Sequence, residues 1–447
     1  MKRHLDASQR RPLGQSFHLP TLLALGLAGC TGIFDVENPN NVNADDLEVP
    51  SAAPALVNGT LSSVAQSWSR MLALTSTATD EVRWIGSRQG WLKLDQGTIS
   101  DPLNEFVDAA WISFGQARWL ADETITKLEG FQSAGELLEA TDLARAYLFG
   151  GIVYTLIGDS WDDFVLSDRS EAAAPVGPDN MGQMYTTAIE YLTNGLAVAR
   201  SEGADDLELR LLAQRARARF AVAVWQKLNP PGMAPSDPWV NDSGANSDAA
   251  DVLARVGNSD WRYEFVYSAT TVTSYVGGQI NNRQELRFDD DLATYPGRGS
   301  SKPVDVIFND VIDDMPDPVL SDLIFNWTES RDVGSLTVVS AREMHLILAE
   351  AALASGDEAG AVTHINHVRA MTPGLTPFDP GMYPASTVDV LKHTRFVNLF
   401  FQGRRLGDLY RYGDPANLWQ TTSEAYNTPG VFFPITQIER ESNPNVG

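Results

Sequence analysis

The sequence predicts a mainly α-helical protein, built on a tetratricopeptide-like helical-repeat scaffold with one irregular insertion of loops and short strands. Apolar residues recur at helical spacing over two stretches, about 51–228 and 341–411. The second stretch opens with a tight helix pair whose interface is lined by small residues, which is the unit of a helical-repeat protein. Between the two, about 229–340, the chain is rich in Gly, Pro, Asn, Asp and aromatic residues, which predicts the insertion.

Composition excludes several classes of protein. The 447 residues are 43% hydrophobic and 20% charged, which is typical of a globular chain. The formal net charge of −25 disfavours nucleic acid as a partner, because an acidic surface repels phosphates. Cys30 is the one cysteine, so disulfides within the chain and multi-cysteine metal centres are excluded. No apolar run after residue 30 reaches the roughly 18–20 residues of a membrane-spanning helix.

The N-terminus has the pattern of a secretory signal. Basic residues precede an uncharged apolar segment at 19–28, and the segment ends in Leu27-Ala28-Gly29-Cys30. This ending resembles the lipobox of bacterial lipoproteins, in which the cysteine receives a lipid and the preceding peptide is removed. We therefore expect residues 1–29 to be a lipoprotein signal peptide and Cys30 to be lipidated. Residues 30–50, rich in Asn, Asp and Pro, are expected to form a tether. Membrane contact is then expected only through the lipid.

Residues 51–447 are expected to form a single domain whose elements follow from periodicity. In the first helical stretch we predict helices at 51–74, 105–130, 134–158, 181–200 and 207–228. Within the insertion, two runs read as short strands, 263–267 and 335–339.

The second helical stretch begins with helices at 341–354 and 358–371, joined by Ser355-Gly356-Asp357. Asp357 is a suitable N-cap for the second helix. Two further helices are predicted at 388–401 and 403–411. No strict 34-residue repeat is visible, so the remaining helix pairs must be degenerate.

Several segments, in order along the chain, form one recognisable set. They are the lipobox and tether with Leu56-Val57-Asn58-Gly59, Ala144-Arg145-Ala146 leading to Gly158-Asp159, residues 342–351 continuing through 356–357 to 365–370, residues 400–405 with 408–409 and 411–413, and Phe433-Pro434-Ile435 with 443–445. Together these segments resemble the SusD/RagB family of outer-membrane nutrient-binding lipoproteins. The chain departs from the family at Asn398 and Gln402, where glutamate is usual, and 230–340 matches poorly, which leaves the ligand unassigned.

The resemblance implies a binding protein without catalytic residues. Such proteins lie as a lid on a SusC/RagA-like TonB-dependent outer-membrane barrel, capture a glycan or peptide nutrient at the cell surface and deliver it to the barrel. Two alternatives stay open. The chain could be a tetratricopeptide-type envelope scaffold without a small ligand, or a surface glycoside hydrolase that uses paired carboxylates.

Aromatic residues in loops are the candidate ligand contacts, because sugars stack on flat rings while polar side chains read their hydroxyls. In the family, the loop after an Asp-Glu pair such as Asp80-Glu81 helps to line the ligand site. The first candidates are therefore Arg83, Trp84, Arg88 and Trp91, although either tryptophan could equally plug the base of the loop. The second candidates, in the insertion, are Tyr267, Tyr275 and Trp327.

Other polar patterns are expected to be structural. Two sets should tie helices together, namely Glu343, Glu350, Asn366 and Arg369, and Arg404, Arg405, Asp408 and Arg411. His364 and His367 are three residues apart on a predicted helix, but the sequence places no third ligand beside them, so we predict no metal centre. Calcium at the Asp-rich turns 289–291 and 313–314 is possible but has no EF-hand motif to support it. Nucleophile-elbow and P-loop patterns are absent from the sequence.

Overall fold

Antiparallel helices dominate the computed structural model, which describes residues 47–168 and 171–446. The predicted signal peptide, Cys30 and nearly all of the predicted tether lie outside the described residues. Within the described ranges, no helix combines the length and apolarity that crossing a membrane requires. The mainly helical fold predicted from the sequence is confirmed.

The N-terminal helices pack against each other in chain order, α1 on α3, α3 on α4, α4 on α5 and α5 on α6. One predicted boundary is wrong. We predicted that a helix begins at residue 134, but the preceding helix ends at that residue. It ends there because Gly135 adopts a left-handed conformation with φ 72°. The elements are α1 (Ala53–Thr77), β1 (Val82–Trp84), α2 (Gln89–Asp95), α3 (Glu105–Ala134), α4 (Ala140–Ser160), α5 (Gly182–Ser201) and α6 (Asp205–Leu228).

Glycines inside α4 let α5 approach closely. A Cβ atom at Gly151 would lie 2.4 Å from Cγ of Leu192 on α5. We expect Gly151→Ala to destabilise the protein by about 1–2 kcal/mol, because the clash outweighs the better helix propensity of alanine. Gly130→Ala, in the exposed end of α3 with open space around it, should instead stabilise by up to about 1 kcal/mol. Chemical denaturation of both variants measures the difference, and equal effects would contradict this packing.

The insertion is more regular than the sequence predicted. Two of its described helices are longer than ten residues, and both begin at an aspartate N-cap, Asp242 for α7 and Asp317 for α9. The two predicted strand runs are confirmed, since β2 pairs with β6 in antiparallel register. The elements are α7 (Ser243–Val256), β2 (Arg262–Phe265), α8 (Tyr275–Gly277), β3 (Leu286–Phe288), β4 (Ala293–Thr294), β5 (Asp305–Val306), α9 (Pro318–Glu329) and β6 (Leu336–Ser340).

The predicted tight helix pair is present as α10 and α11, with Asp357 as the N-cap of the second helix. Leu346 and Ala349 of the first helix pack against Ile365 and Val368 of the second. The C-terminal elements are α10 (Ala341–Ala354), α11 (Glu358–Ala370), α12 (Thr387–Asn398), α13 (Arg405–Tyr412), α14 (Glu424–Asn427) and α15 (Gln437–Ser442).

A buried network of ion pairs joins α10, α12 and α13. Glu350, which is fully buried, accepts hydrogen bonds from both terminal nitrogens of Arg411 and lies 3.4 Å from Arg395. Arg395 and Arg411 both donate to Asp408. Burial acts to raise the pKa of Asp408, but these two guanidinium groups outweigh it and hold the pKa at about 2.

The other polar residues expected to be structural also connect elements. Glu343 accepts two hydrogen bonds from Arg404, at 2.9 and 3.0 Å, and Arg405 pairs with Asp80 at the end of α1. Arg369 binds both carboxylate oxygens of Asp310, at 2.8 and 3.0 Å. These contacts confirm the prediction that these residues hold the scaffold together.

Candidate ligand-binding site

A cavity of about 410 Å³ lies where β1 approaches α2 and β3. Its lining combines one tryptophan with a set of charged side chains, which is the mixture expected of a site for a polar ligand with apolar faces. The lining residues are Arg83, Trp84, Ile85, Gly86, Leu92, Asp95, Gln96, Arg287, Asp290, Arg298 and Leu418. Two of the four first candidates from the sequence, Arg83 and Trp84, are among them.

Strand register places two arginines opposite each other. In the antiparallel pair β1–β3, Arg83 is the partner of Arg287. Like charges directly across a strand pair repel, so this arrangement requires compensation. Asp290 supplies it, because one of its oxygens pairs with Arg83 and the other lies 2.6 Å from Arg287.

The side chains of Arg83 and Arg287 are fixed by their neighbours to different degrees. Arg287 is buried, lies 4.3 Å above the ring centroid of Tyr295 and faces the backbone carbonyls of Gly297 and Arg298, each at 3.3 Å. The Arg83 side chain is 26% exposed and has Asp290 as its one described ion-pair partner. Arg83 is therefore the guanidinium better able to turn toward a bound molecule.

Asp95, at the C-terminal end of α2, forms the floor of the site. One carboxylate oxygen accepts a hydrogen bond from the backbone N–H of Trp84 at 3.2 Å, and among the described residues the other oxygen has no partner. Burial raises the pKa of this carboxyl from its ordinary value of 3.8 to about 7, although the Trp84 N–H and Arg83 act to lower it. Asp95 can thus exist near neutral pH as a hydrogen-bond donor or as an acceptor.

The raised pKa of Asp95 makes stability depend on pH in a defined direction. The folded chain holds this proton more tightly than the unfolded chain, so the native protein should lose stability relative to Asp95→Asn as pH rises from about 4 to 7. Above pH 7 the difference should level off, on the order of 2–4 kcal/mol in favour of the variant. Denaturant titrations at a series of pH values measure it.

Asp101→Asn is the matched control for this titration. Burial acts to raise the pKa of Asp101, but Lys93 and the Leu103 N–H outweigh it and leave the pKa below its ordinary value. Its stability difference from the native chain should therefore stay flat between pH 5 and 7. A flat profile for Asp95→Asn as well would contradict the buried, protonated carboxyl.

Trp84 is half-buried, and its indole reaches the cavity from the last position of β1. In the part of the chain that the structure describes, its Nε1 atom has no hydrogen-bond partner, and the same holds for Nε of Arg83 and Nε of Arg287. Buried polar atoms are rarely left without partners. Unpaired donors beside an aromatic ring are suited to a ligand that carries both C–H faces and hydroxyl groups.

The two remaining first candidates do not line the cavity. Trp91 has no exposed surface and its ring stacks on Phe106, with centroids 3.9 Å apart and planes 17° apart. It plugs the base of the loop, so its assignment as a ligand contact is wrong for this structure. Arg88 is exposed, lies above the same Phe106 ring and pairs with Glu105 at 3.4 Å.

The second candidates are dispersed. Tyr267 is buried and donates its hydroxyl to the carbonyl of Ala65 at 2.7 Å, which corrects it to a packing residue. Tyr275 is half-buried, with the Arg70 guanidinium 4.5 Å above its ring centroid. Neither residue lines the cavity.

Trp327 lines a different cavity, of about 640 Å³. It is 6% exposed and packs edge-on against Phe401 at 4.8 Å, so it forms part of the wall without offering a ring face. Asn326 and Asp322 also line this second cavity and are exposed.

Sequence reasoning missed Asp95, Arg287 and Asp290 as parts of the site. A signal was available, because the two paired strands carry the same apolar-Arg-aromatic pattern, Val82-Arg83-Trp84 and Leu286-Arg287-Phe288. The Asp-rich turn after β3 was considered only for calcium. In the structure, Asp290 in that turn is paired with two arginines.

One group of described residues has the composition of a metal site but is better explained by internal ion pairs. Oxygens of Asp310 and Asp317 and a nitrogen of His393 lie within 4.8 Å of one another. Asp310 is bound by Arg369, and Asp317 caps α9 through the N–H of Val319 at 2.8 Å. Burial acts to lower the pKa of His393, but hydrogen bonds to the carboxylates of Asp310 and Asp317 outweigh it and raise the pKa above its ordinary value.

Comparison with known proteins finds one family model and many solved structures of one fold. Residues 341–430 match the model of the SusD family, and 89% of the chain matches the fold of a solved SusD superfamily protein. The matched residues contain α10–α14 and the buried Glu350–Arg411 network, so the SusD signature lies in the scaffold.

Solved SusD structures share the fold at low sequence identity. A SusD superfamily protein from Bacteroides thetaiotaomicron is 13% identical, with a TM-score of 0.64 over 89% of this chain and 99% of its own. One from Parabacteroides distasonis is 13% identical, with a TM-score of 0.58 over 91% and 99%. A SusD-like carbohydrate binding protein from Bacteroides vulgatus is 13% identical, with a TM-score of 0.55 over 89% and 97%. No curated protein matches the chain.

The SusD family match and the candidate cavity lie in different parts of the sequence. Among the cavity residues only Leu418 falls within 341–430, whereas the charged residues and Trp84 come from β1, from α2 and from the insertion. The scaffold is therefore what this chain shares with the SusD family model, and the cavity is formed by segments outside the match.

Proposed function

We propose that this protein, which has the SusD fold, binds an oligosaccharide in the 410 Å³ cavity and delivers it to a partner transporter. The observation that carries the proposal is the combination of the half-buried Trp84 ring with unpaired donors on residues that line the same cavity. A sugar ring can stack on the indole while its hydroxyl groups bond to Arg83 and Asp95.

The cavity favours a glycan over a peptide. Its polar groups are side-chain donors and acceptors around one ring, which fits hydroxyl recognition, and one solved structure of the same fold is a carbohydrate binding protein. A peptide nutrient is the alternative ligand from the resemblance. Three arginines face two carboxylates in the lining, so a sugar that carries a carboxylate group also fits the charge of the site.

Delivery of the bound ligand to a transporter is proposed from the resemblance to the SusD/RagB family and the match of residues 341–430 to the SusD family model. A lipid on Cys30 would anchor the protein to the outer membrane on the cell surface, with the described domain held above a SusC/RagA-like TonB-dependent barrel. The barrel would carry out import, and this chain would supply capture and specificity.

Hydrolysis of the bound glycan is not proposed. The cavity contains two carboxyl groups, Asp95 and Asp290, as a glycosidase would require. Asp290, however, is paired with both Arg83 and Arg287, which leaves it poorly placed to attack a sugar or to activate water. Release of reducing ends from a bound polysaccharide by the purified protein would overturn this view and favour the surface-hydrolase alternative.

A binding screen tests the ligand class. The full chain, purified in mild detergent, is applied to an array of neutral and acidic oligosaccharides and of peptides, and hits are measured by calorimetry. Binding of a glycan family, with quenching or a shift of tryptophan fluorescence, is the expected result. Selective binding of peptides would show that the ligand is a peptide and not a glycan. Absence of binding to either class would favour the envelope-scaffold alternative.

A further inference from the structure

Three histidines from two helices meet on the α10–α11 pair. His345 lies on α10, and His364 and His367 lie one turn apart on α11. Nδ1 of His345 is 3.0 Å from Nδ1 of His364. The His367 ring stacks on His345, with centroids 4.8 Å apart and planes 13° apart. The ligand that the sequence could not place beside His364 and His367 is therefore supplied by the partner helix.

We propose that this histidine cluster, His345, His364 and His367, binds a divalent late transition-metal ion of the Ni²⁺ and Cu²⁺ class. Metal–imidazole bonds are roughly 2.0–2.1 Å long. Two nitrogens 3.0 Å apart then subtend an angle of roughly 90–100° at a shared ion. This is the angle between neighbouring ligands in square-planar and octahedral sites, which Ni²⁺ and Cu²⁺ prefer, and it is smaller than the tetrahedral angle that suits Zn²⁺. His345 and His364 supply this nitrogen pair, and His367 is the neighbouring third imidazole, with its ring centroid 4.8 Å from that of His345 and 6.3 Å from that of His364.

Exposure of the cluster allows an ion to enter. His345 is 6% exposed, His364 is half-buried and His367 is exposed, so the three rings form a path from solvent to the nitrogen pair. A buried inner ligand with more exposed outer ligands is a suitable arrangement for capture of an ion from solution.

The histidine cluster is separate from the proposed ligand site, since none of its residues lines the 410 Å³ cavity. The remaining explanation of the 3.0 Å contact is an N–H···N hydrogen bond between two neutral rings. A hydrogen bond of this kind would link the helices without binding metal, so metal titration separates the two explanations.

Calorimetric titration of Ni²⁺ into the full chain, purified with a tag that contains no histidine, tests the proposal. We expect one ion per chain, and a loss of affinity of roughly tenfold or more in His364→Ala and in His367→Ala. His393→Gln is the matched control, because His393 belongs to the other His- and Asp-containing group and should leave Ni²⁺ binding unchanged. Circular dichroism confirms that each variant is folded.

A second readout identifies the ligands directly. The electron paramagnetic resonance spectrum of the Cu²⁺-loaded chain should show coupling to at least two nitrogens, and this coupling should be reduced in His364→Ala. Absence of saturable binding, unchanged affinity in both α11 variants, or loss of binding in His393→Gln would each overturn the proposal.

Discussion

Replacement of Trp84 by alanine is expected to weaken oligosaccharide binding by roughly 30-fold or more, since aromatic anchors of binding sites commonly contribute at least 2 kcal/mol. Trp84 is the one aromatic residue that lines the cavity, and its Nε1 atom has no hydrogen-bond partner among the described residues. Its removal deletes the stacking platform but leaves the Arg83–Asp290 and Arg287–Asp290 ion pairs in place. Calorimetry with the oligosaccharide selected by the array measures the loss.

Two control variants test whether the loss of oligosaccharide affinity is specific to the 410 Å³ cavity. Asn326→Ala changes an exposed residue of the second cavity, and Arg88→Ala changes a first candidate that lies outside both cavities. Each should leave affinity within about twofold, as surface changes away from a binding site usually do. If Asn326→Ala abolished binding while Trp84→Ala did not, the 640 Å³ cavity would be the binding site.

Glu350→Gln is expected to destabilise the fold by about 3–5 kcal/mol, because it removes the negative partner of two buried guanidinium groups while preserving shape. Glu350 is fully buried, pairs with Arg411 and Arg395, and accepts the backbone N–H of Val240 at 2.9 Å. The loss follows from the cost of a buried charge without its partner. Urea denaturation, followed by fluorescence and by circular dichroism, measures it.

The matched control is an exposed pair. Lys302 and Glu329 form an ion pair at 3.0 Å with side chains 65% and 73% exposed, so Glu329→Gln should cost at most about 1 kcal/mol. A comparable cost for both substitutions would contradict the view that the Glu350–Arg411 network holds the C-terminal helices together.

Sequence patterns predicted the fold where apolar periodicity was strong. The helix pair 341–371 has small interface residues, an aspartate N-cap and a Gly-Asp turn, and each local signal agrees with the tertiary arrangement. The helix α7 was missed because Ser243, Gly244 and Asn246 are weak helix formers, and the Asp242 cap and packing on α6 and α10 decide its structure.

Sequence reasoning proposed site residues that are neighbours in sequence and missed those brought together by long-range pairing. Arg83 and Trp84 were proposed because they follow Asp80-Glu81, as the resemblance implied, and both line the cavity. Arg287 was not proposed, because strand pairing across about two hundred residues brings it opposite Arg83, and no local pattern specifies that register. The same reason explains why His345 was not recognised as the neighbour of His364 and His367. Burial separated Trp84 from Trp91, and residue type alone does not reveal burial.

The central claim is that this protein, which has the SusD fold, captures a glycan for an outer-membrane transporter. It is tested most directly by mild solubilisation of outer membranes from the native host, affinity purification of the tagged full chain and identification of the proteins and glycans that copurify. We expect a stoichiometric TonB-dependent barrel, and an oligosaccharide that is retained by the native complex but lost from the Trp84→Ala complex. Recovery of the lipoprotein alone, or with unrelated envelope proteins and no glycan, would contradict the claim.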